Sequence, residues 1–263
     1  MSSKSAAALD RRTNDGGAGF IGYLTVGYPD LETSIEAGHA LVDAGVDIIE
    51  LGLPYSDPGM DGPVIQHTGQ LALDAGTRTR HVLRAVEALS GRVPVLVMTY
   101  YNPVHRYGVE AFARDLAAAG GAGLITPDLI PDEAAAWIDA ARAHDLDRVF
   151  LVAPSSTEAR LASTAAACRG FVYAASTMGV TGERSTVDGT AEGLVARTRA
   201  AGAERVCVGL GVSNAGHARE VGAYADGVIV GSALLRALGD GISSLRHLAT
   251  ELADAAHTAR RPA

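Results

Sequence analysis

The chain has 263 residues, 48% of them hydrophobic and 20% charged, with a formal net charge of −8. That composition supports a sizeable buried core and excludes disorder, and the negative balance argues against nucleic acid, whose phosphates call for basic patches. No apolar run approaches the length of a membrane span and the N-terminus lacks a charged-then-apolar leader pattern, so no membrane contact and a cytoplasmic location are expected.

Residues 1–18 are small, polar and mixed in charge, and read as a mobile tail or a short helix. From residue 20 onward, short aliphatic runs alternate with Ala-rich stretches carrying charges at helical spacing. Strands are predicted over 20–26, 47–53, 93–100, 123–127, 148–152, 171–175, 205–209 and 227–230. Helices are predicted over 31–44, 79–89, 109–119, 133–143, 158–168, 191–201, 214–221 and 243–258, with a shorter one at 233–237. Small-residue turns such as Ala44-Gly45 and Ala201-Gly202 recur between helix end and strand, where glycine supplies the left-handed cap. Eight near-continuously apolar strands, each followed by a helix, indicate a parallel sheet covered on both faces. At this length the α/β fold that fits best is a (β/α)8 TIM barrel in a single domain spanning 19–263. An open doubly wound sheet is the alternative, and its G-x-G-x-x-G fingerprint after the first strand is missing.

The segment Ile48 to Gln66 stands out. Glu50 is the one carboxylate in an aliphatic strand, where an ionisable group costs several kcal/mol unless paired or neutralised (of order 2–7 for a merely polar group). Asp57 and Asp61 lie on the Pro/Gly-rich loop that follows. Asp57, in Ser56-Asp57-Pro58, reads equally as a turn cap, and Asp128, after Thr126-Pro127, as a strand-end residue that orients a neighbour. Glu50 and Asp61 are therefore the candidate catalytic pair. On a barrel they would share the C-terminal mouth with Tyr23, Tyr100 and Tyr173.

Glycine-bearing loops follow the last three strands: Gly179-Val180-Thr181-Gly182, Gly209-Leu210-Gly211-Val212-Ser213, and Gly231-Ser232. Backbone N–H groups at such loops cradle phosphate, and Arg184 is a nearby charge. The long polar stretch 177–190 reads as a lid or as a plain surface loop.

Other chemistry is disfavoured. Lys4 is the only lysine and sits near the N-terminus, so a Schiff-base aldolase or a covalently held pyridoxal phosphate lacks its nucleophile. The eight histidines never fall at ligand spacing, so no metal is expected. Cys168 and Cys207 read as small buried hydrophobes. A G-x-S-x-G elbow, a Walker motif and a kinase signature are all missing.

Glu50-Leu51-Gly52-Leu53-Pro54-Tyr55-Ser56-Asp57-Pro58, Asp61-Gly62-Pro63-Val64-Ile65-Gln66, Met98-Thr99-Tyr100-Tyr101-Asn102-Pro103 and Gly179-Val180-Thr181-Gly182 closely resemble motifs of the tryptophan synthase alpha subunit. The resemblance runs from about residue 20 to the last helix. It implies a (β/α)8 barrel that cleaves indole-3-glycerol phosphate to indole and glyceraldehyde 3-phosphate in tryptophan biosynthesis. It implies no cofactor in this chain and, as partner, a beta subunit carrying pyridoxal phosphate, in an α2β2 heterotetramer. By the same resemblance Glu50 is the proton shuttle and Asp61 binds the indole N–H. Gly182, Gly211, Gly231 and Ser232 hold the phosphate, Thr181 is the lid residue that closes on Asp61, and Tyr173 lies near the glycerol portion. Tyr23, Met98, Tyr100 and Ile125 line the indole pocket. The chain departs from the pattern at Tyr23 and Tyr55, where phenylalanine is common, and at Gly59-Met60, where Leu-Ala is usual. Three other readings are carried forward: a stand-alone or pathway-specific indole-forming paralogue, a catalytically weak allosteric partner of a beta subunit, and a phosphosugar isomerase or aldolase on the same barrel.

Overall fold

The computed structural model describes residues 3–175, 190–209 and 211–259. Eight parallel strands close in sequence order into a barrel: β1 (Gly19–Thr25), β2 (Ile48–Gly52), β3 (Val95–Met98), β4 (Gly123–Thr126), β5 (Asp147–Val152), β6 (Val172–Ala175), β7 (Val206–Gly209) and β8 (Gly227–Val230). Closure is made by β1 pairing with both β2 and β8. The principal covering helices are α2 (Leu31–Asp43), α4 (Thr79–Leu89), α6 (Val109–Ala118), α7 (Ala135–Ala143), α8 (Glu158–Ala167), α9 (Thr190–Ala200), α10 (Ala215–Gly222), α11 (Ser232–Gly239) and α12 (Ile242–His257).

The strands read as aliphatic runs because both faces are buried. Leu24, Leu51, Val97, Leu124, Phe150, Val172, Val208 and Val228 point outward into the layer shared with the helices. The alternate set, Ile21, Ile48, Leu96, Ile125, Val149, Tyr173, Cys207 and Ile229, fills the barrel axis. This parity places Tyr23 and Glu50, Cα partners across β1 and β2, toward the upper interior.

Helix α1 (Lys4–Asn14) closes the opposite end. Its Leu9 is fully buried and inserts where Gly19 and Gly227 leave room; a Cβ on Gly19 would lie 2.7 Å from the Leu9 methyl. Asp147, at the start of β5, fixes the helix by accepting from the Ser3 hydroxyl at 2.8 Å, the Ser5 amide at 3.1 Å and the Ser5 hydroxyl at 2.6 Å. Residues Lys4–Asn14 therefore form a helix docked on the barrel.

Two helices escape the sequence pattern. α3 (Pro63–Asp74) begins with Pro at its first turn behind Gly62 and carries Gly69 mid-helix, so its apolar spacing is diluted. α5 (Tyr101–Tyr107) spans only seven residues and contains Pro103; proline is tolerated there because the first helical turn needs no intrahelical donor. Other differences are of one or two residues at element ends, except that a 3-10 turn, Pro131–Glu133, precedes α7, and β3 is shorter than predicted.

Candidate active site

Glu50 sits in mid-β2, fully buried, and neither carboxylate oxygen has a hydrogen-bond partner among the described residues. Burial is the cause that pushes its carboxyl up to about 8, because a charge in this apolar setting lacks solvation. At neutral pH the group is a neutral acid. Around it stand Tyr23 and Tyr173, both buried, whose phenols are raised first by burial and then by the nearby Glu50 and Asp61 charges. The two carboxylates thus act on the same pair of phenols, at the C-terminal end of the strands.

The bulk of these tyrosines is accommodated by glycine on the next strand. A Cβ on Gly52 would overlap the Tyr23 hydroxyl, and one on Gly209 would overlap that of Tyr173. Glycine at an inward strand position is the sequence signal for such an approach.

Asp61 lies on the loop between β2 and α3, half-buried, and burial raises it to about 6. The loop is pinned by β3. The Tyr100 hydroxyl accepts from the Met60 amide at 2.8 Å, and Tyr100 offsets part of the rise that burial imposes on the Asp61 carboxyl. Tyr55 packs on the Tyr100 ring at 5.3 Å between centroids, and the Asn102 side-chain amide donates to the Tyr55 hydroxyl at 3.0 Å. Gln66 donates to the Asp61 carbonyl at 2.7 Å. Tyr100 therefore engages the acidic loop directly, a contact its position in the sequence did not disclose, as do Tyr55, Asn102 and Gln66.

Asp57 is exposed and accepts from the Ser56 hydroxyl at 2.6 Å, the geometry of a local turn. Asp128 accepts from the Tyr101 amide at 2.9 and 3.2 Å, so it caps the start of α5. Met98 and Ile125 are Cα partners on β3 and β4 and border the interior cluster, Ile125 fully buried and Met98 half-buried.

Gly211 follows β7 with φ +96°, a conformation glycine adopts without strain. Gly231 and Ser232 join β8 to α11. Asn214 caps α10 by accepting from the His217 amide at 3.0 Å, whereas α11 begins without a side-chain cap. Of these two helix starts, α11 is the one whose N-cap residue, Gly231, supplies no side-chain acceptor, which suits an anion. Thr181, Gly182 and Arg184 lie outside the described residues, as does most of the 177–190 stretch. Among the described residues, no group of three His, Cys, Asp or Glu side chains is placed to hold a metal ion, and no helix is long and apolar enough to cross a membrane.

Comparison with known proteins places this geometry. A profile of the tryptophan synthase alpha chain family matches residues 9–261. The chain belongs to the tryptophan synthase alpha chain family. It is 63% identical to the tryptophan synthase alpha chain of Mycobacterium marinum over 239 residues, covering 90% of this chain and 88% of that one. It is 58% identical to that of Leifsonia xyli over 254 residues, covering 95% and 97%. Among solved structures it superposes on a chain of Mycobacterium tuberculosis tryptophan synthase with TM-score 0.94 at 56% identity, covering 98% of this chain and 99% of that chain. The subunit alpha of Legionella pneumophila, at only 27% identity, still superposes with TM-score 0.90 over 97% and 98% of the two chains. Membership in this family implies a beta-subunit partner.

Proposed function

We propose that Glu50 and Asp61 carry out the reaction of this family, the cleavage of indole-3-glycerol phosphate to indole and glyceraldehyde 3-phosphate in tryptophan biosynthesis. The observation that carries the assignment is the Glu50 carboxyl, wholly buried with both oxygens unpartnered among the described residues. A buried acid without an internal partner is available to a substrate.

The steps balance on one proton carrier. Neutral Glu50 protonates indole C3, which turns the ring into an indoleninium-like cation, and Asp61 accepts a hydrogen bond from the ring N–H. Its negative charge stabilises the positive charge that develops, an effect that grows as water is excluded. The Glu50 carboxylate then takes the proton of the hydroxyl on the adjacent side-chain carbon. As that oxygen becomes the aldehyde carbonyl, the bond to C3 breaks, and its electron pair neutralises the ring to indole. Glu50 ends neutral, as it began.

Gly211, Gly231 and Ser232 are assigned to the phosphate together with Gly182. Tyr23, Met98, Tyr100 and Ile125 are assigned to the indole pocket, Tyr100 also bracing the loop that bears Asp61, Tyr173 to the glycerol portion and Thr181 to the lid. The phosphosugar aldolase reading is the weaker one, because the single lysine donates its ammonium to the Gly120 carbonyl at 3.0 Å from the closed end of the barrel. Pyridoxal phosphate is assigned to a beta subunit in an α2β2 assembly. Met60 and Ile130, large apolar side chains that are 40% and 38% exposed on mouth loops, support a docking face there.

The test is release of indole by the purified chain, alone and with a beta subunit, beside Glu50→Gln and Asp61→Asn. Both substitutions are expected to abolish most turnover while the fold persists. Full activity in Glu50→Gln would remove the assigned acid. Turnover that a beta subunit leaves unchanged would favour a stand-alone indole-forming enzyme. Substrate binding without turnover in the wild-type chain would favour the allosteric reading.

A further inference from the structure

A small cavity of about 20 Å³ lies behind Asp61, between β1, the acidic loop and α3. Its polar lining comes from Tyr23, Thr25, Tyr55, Asp61 and Gln66, and Leu53 and Ile65 add apolar side chains. A space of that size holds one water molecule, and a buried water needs two to four polar partners.

The hydroxyls of the lining are already ordered. Thr68 Oγ1 lies 2.9 Å from Thr25 Oγ1, closer than the 3.1 Å to its own helical acceptor, the Ile65 carbonyl. Thr25 in turn donates to the Tyr23 hydroxyl at 3.5 Å. With Thr68 donating to Thr25 and Thr25 to Tyr23, each group spends its single proton on the next. The phenol proton of Tyr23 is then left to point onward. The groups facing Asp61 from the surrounding elements are Tyr23 on β1, Glu50 on β2, Tyr100 beyond β3 and Tyr173 on β6; among them Asp61 is the first charge to act on the Tyr23 phenol. Its carboxylate only accepts, and so it is a natural end for the chain.

We propose that Tyr23 is a positioning residue for Asp61, its hydroxyl holding one water molecule that donates to the Asp61 carboxylate from behind. Tyr100 also lowers the same carboxyl against its burial. A donor held by Tyr23 adds to that influence and favours the ionised form. The inference rests on the Asp61 assignment made above.

The test has two readouts. A crystal structure of the full chain, at a resolution that shows ordered waters, is expected to place one water within hydrogen-bond distance of both Tyr23 Oη and an Asp61 oxygen. Tyr23→Phe is expected to lose or displace it. Continuous density without that water, or a water unmoved in Tyr23→Phe, overturns the proposal. In the pH profile of kcat/KM, the acid limb is expected to move up by about half a pH unit in Tyr23→Phe, which removes the anchor of the water that donates to the charged form, and in Thr25→Val, which removes the hydroxyl that turns the Tyr23 proton toward that water. It is expected to return to the wild-type position in Thr25→Ser, which keeps the hydroxyl. Superimposable acid limbs in all four proteins also overturn the proposal. Full turnover in Asp61→Asn would instead remove the catalytic assignment, and the crystallographic question would stand apart from it.

Discussion

The two ends of the barrel treat buried carboxylates in opposite ways. At the closed end, Asp47, Asp147 and Asp226 stand at the entries to β2, β5 and β8, and each accepts hydrogen bonds from the protein, although Asp147 Oδ1 has only the Arg169 guanidinium, at 3.7 Å. Asp47 accepts from the Phe20 amide at 2.8 Å and pairs with Arg12 at 2.6 Å and His257 at 2.7 Å. Asp226 accepts from the Val206 amide and from Arg199, both at 2.8 Å, and Asp147 holds the serines that start α1. At the open end, neither Glu50 oxygen has a hydrogen-bond partner among the described residues. Acids that stitch a fold are hydrogen-bonded within it, and one left unsatisfied in an apolar strand is reserved for something that comes and goes.

The strongest way to break this contrast is to exchange the readouts. Glu50→Gln is expected to lower kcat by about 10²–10⁴, the usual worth of a positioned acid–base, with an unfolding midpoint at pH 7 no lower than wild type. Loss of stability with intact turnover would place Glu50 among the stitching acids. Asp147→Ala is expected to do the reverse. It strands the Ser3 and Ser5 donors and lowers stability by about 2–4 kcal/mol in urea unfolding, while kcat/KM of the folded protein stays near wild type.

Titration separates the ends next. The carboxyl of Glu50 is raised, so the folded state binds the extra proton. Its contribution to stability is whole below the ordinary value of 4.5 and is lost as pH rises through about 8. Urea midpoints of Glu50→Gln are therefore expected to fall less than wild type between pH 5 and 8. Asp47 has the opposite sign. Burial alone would raise it, but the His257, Phe20 and Arg12 contacts hold it below the ordinary range. Its stabilisation is present at neutral pH and lost on acidification through that low value, so Asp47→Asn is expected to differ from wild type at pH 7 and converge with it in acid. Parallel curves for both variants would erase the distinction.

A smaller effect sharpens the picture within the mouth. Tyr100→Phe removes the hydroxyl that holds Met60 and Asp61, worth about 1–2 kcal/mol. It is expected to raise KM by about tenfold and to leave the unfolding midpoint nearly unchanged. An unaltered KM would show that the acidic loop does not depend on β3.

The contrast was half legible in the chain. Glu50 announces itself because a lone carboxylate inside an aliphatic strand has few structural uses, and the strand periodicity placed it on a barrel. The closed end was not legible. Asp47 and Asp147 sit at strand starts like any turn residue, and their partners Arg12, His257, Ser3 and Ser5 are distant in sequence. The α3 and α5 helices were missed because Pro63, Gly69 and Pro103 mimic loop composition, although proline in a first turn is compatible with a helix. The contact of Tyr100 with the acidic loop was not legible either, since nothing local shows that its hydroxyl would reach a loop some 40 residues earlier.

The claim beneath all of this is that Glu50 is a neutral acid at neutral pH. Infrared difference spectroscopy of wild type against Glu50→Gln measures it directly. The account predicts a protonated carboxyl carbonyl band at pH 7 that is missing from the variant and converts to carboxylate on titration through about pH 8. A carboxylate band already present at pH 7, with no carbonyl band lost in Glu50→Gln, would contradict it.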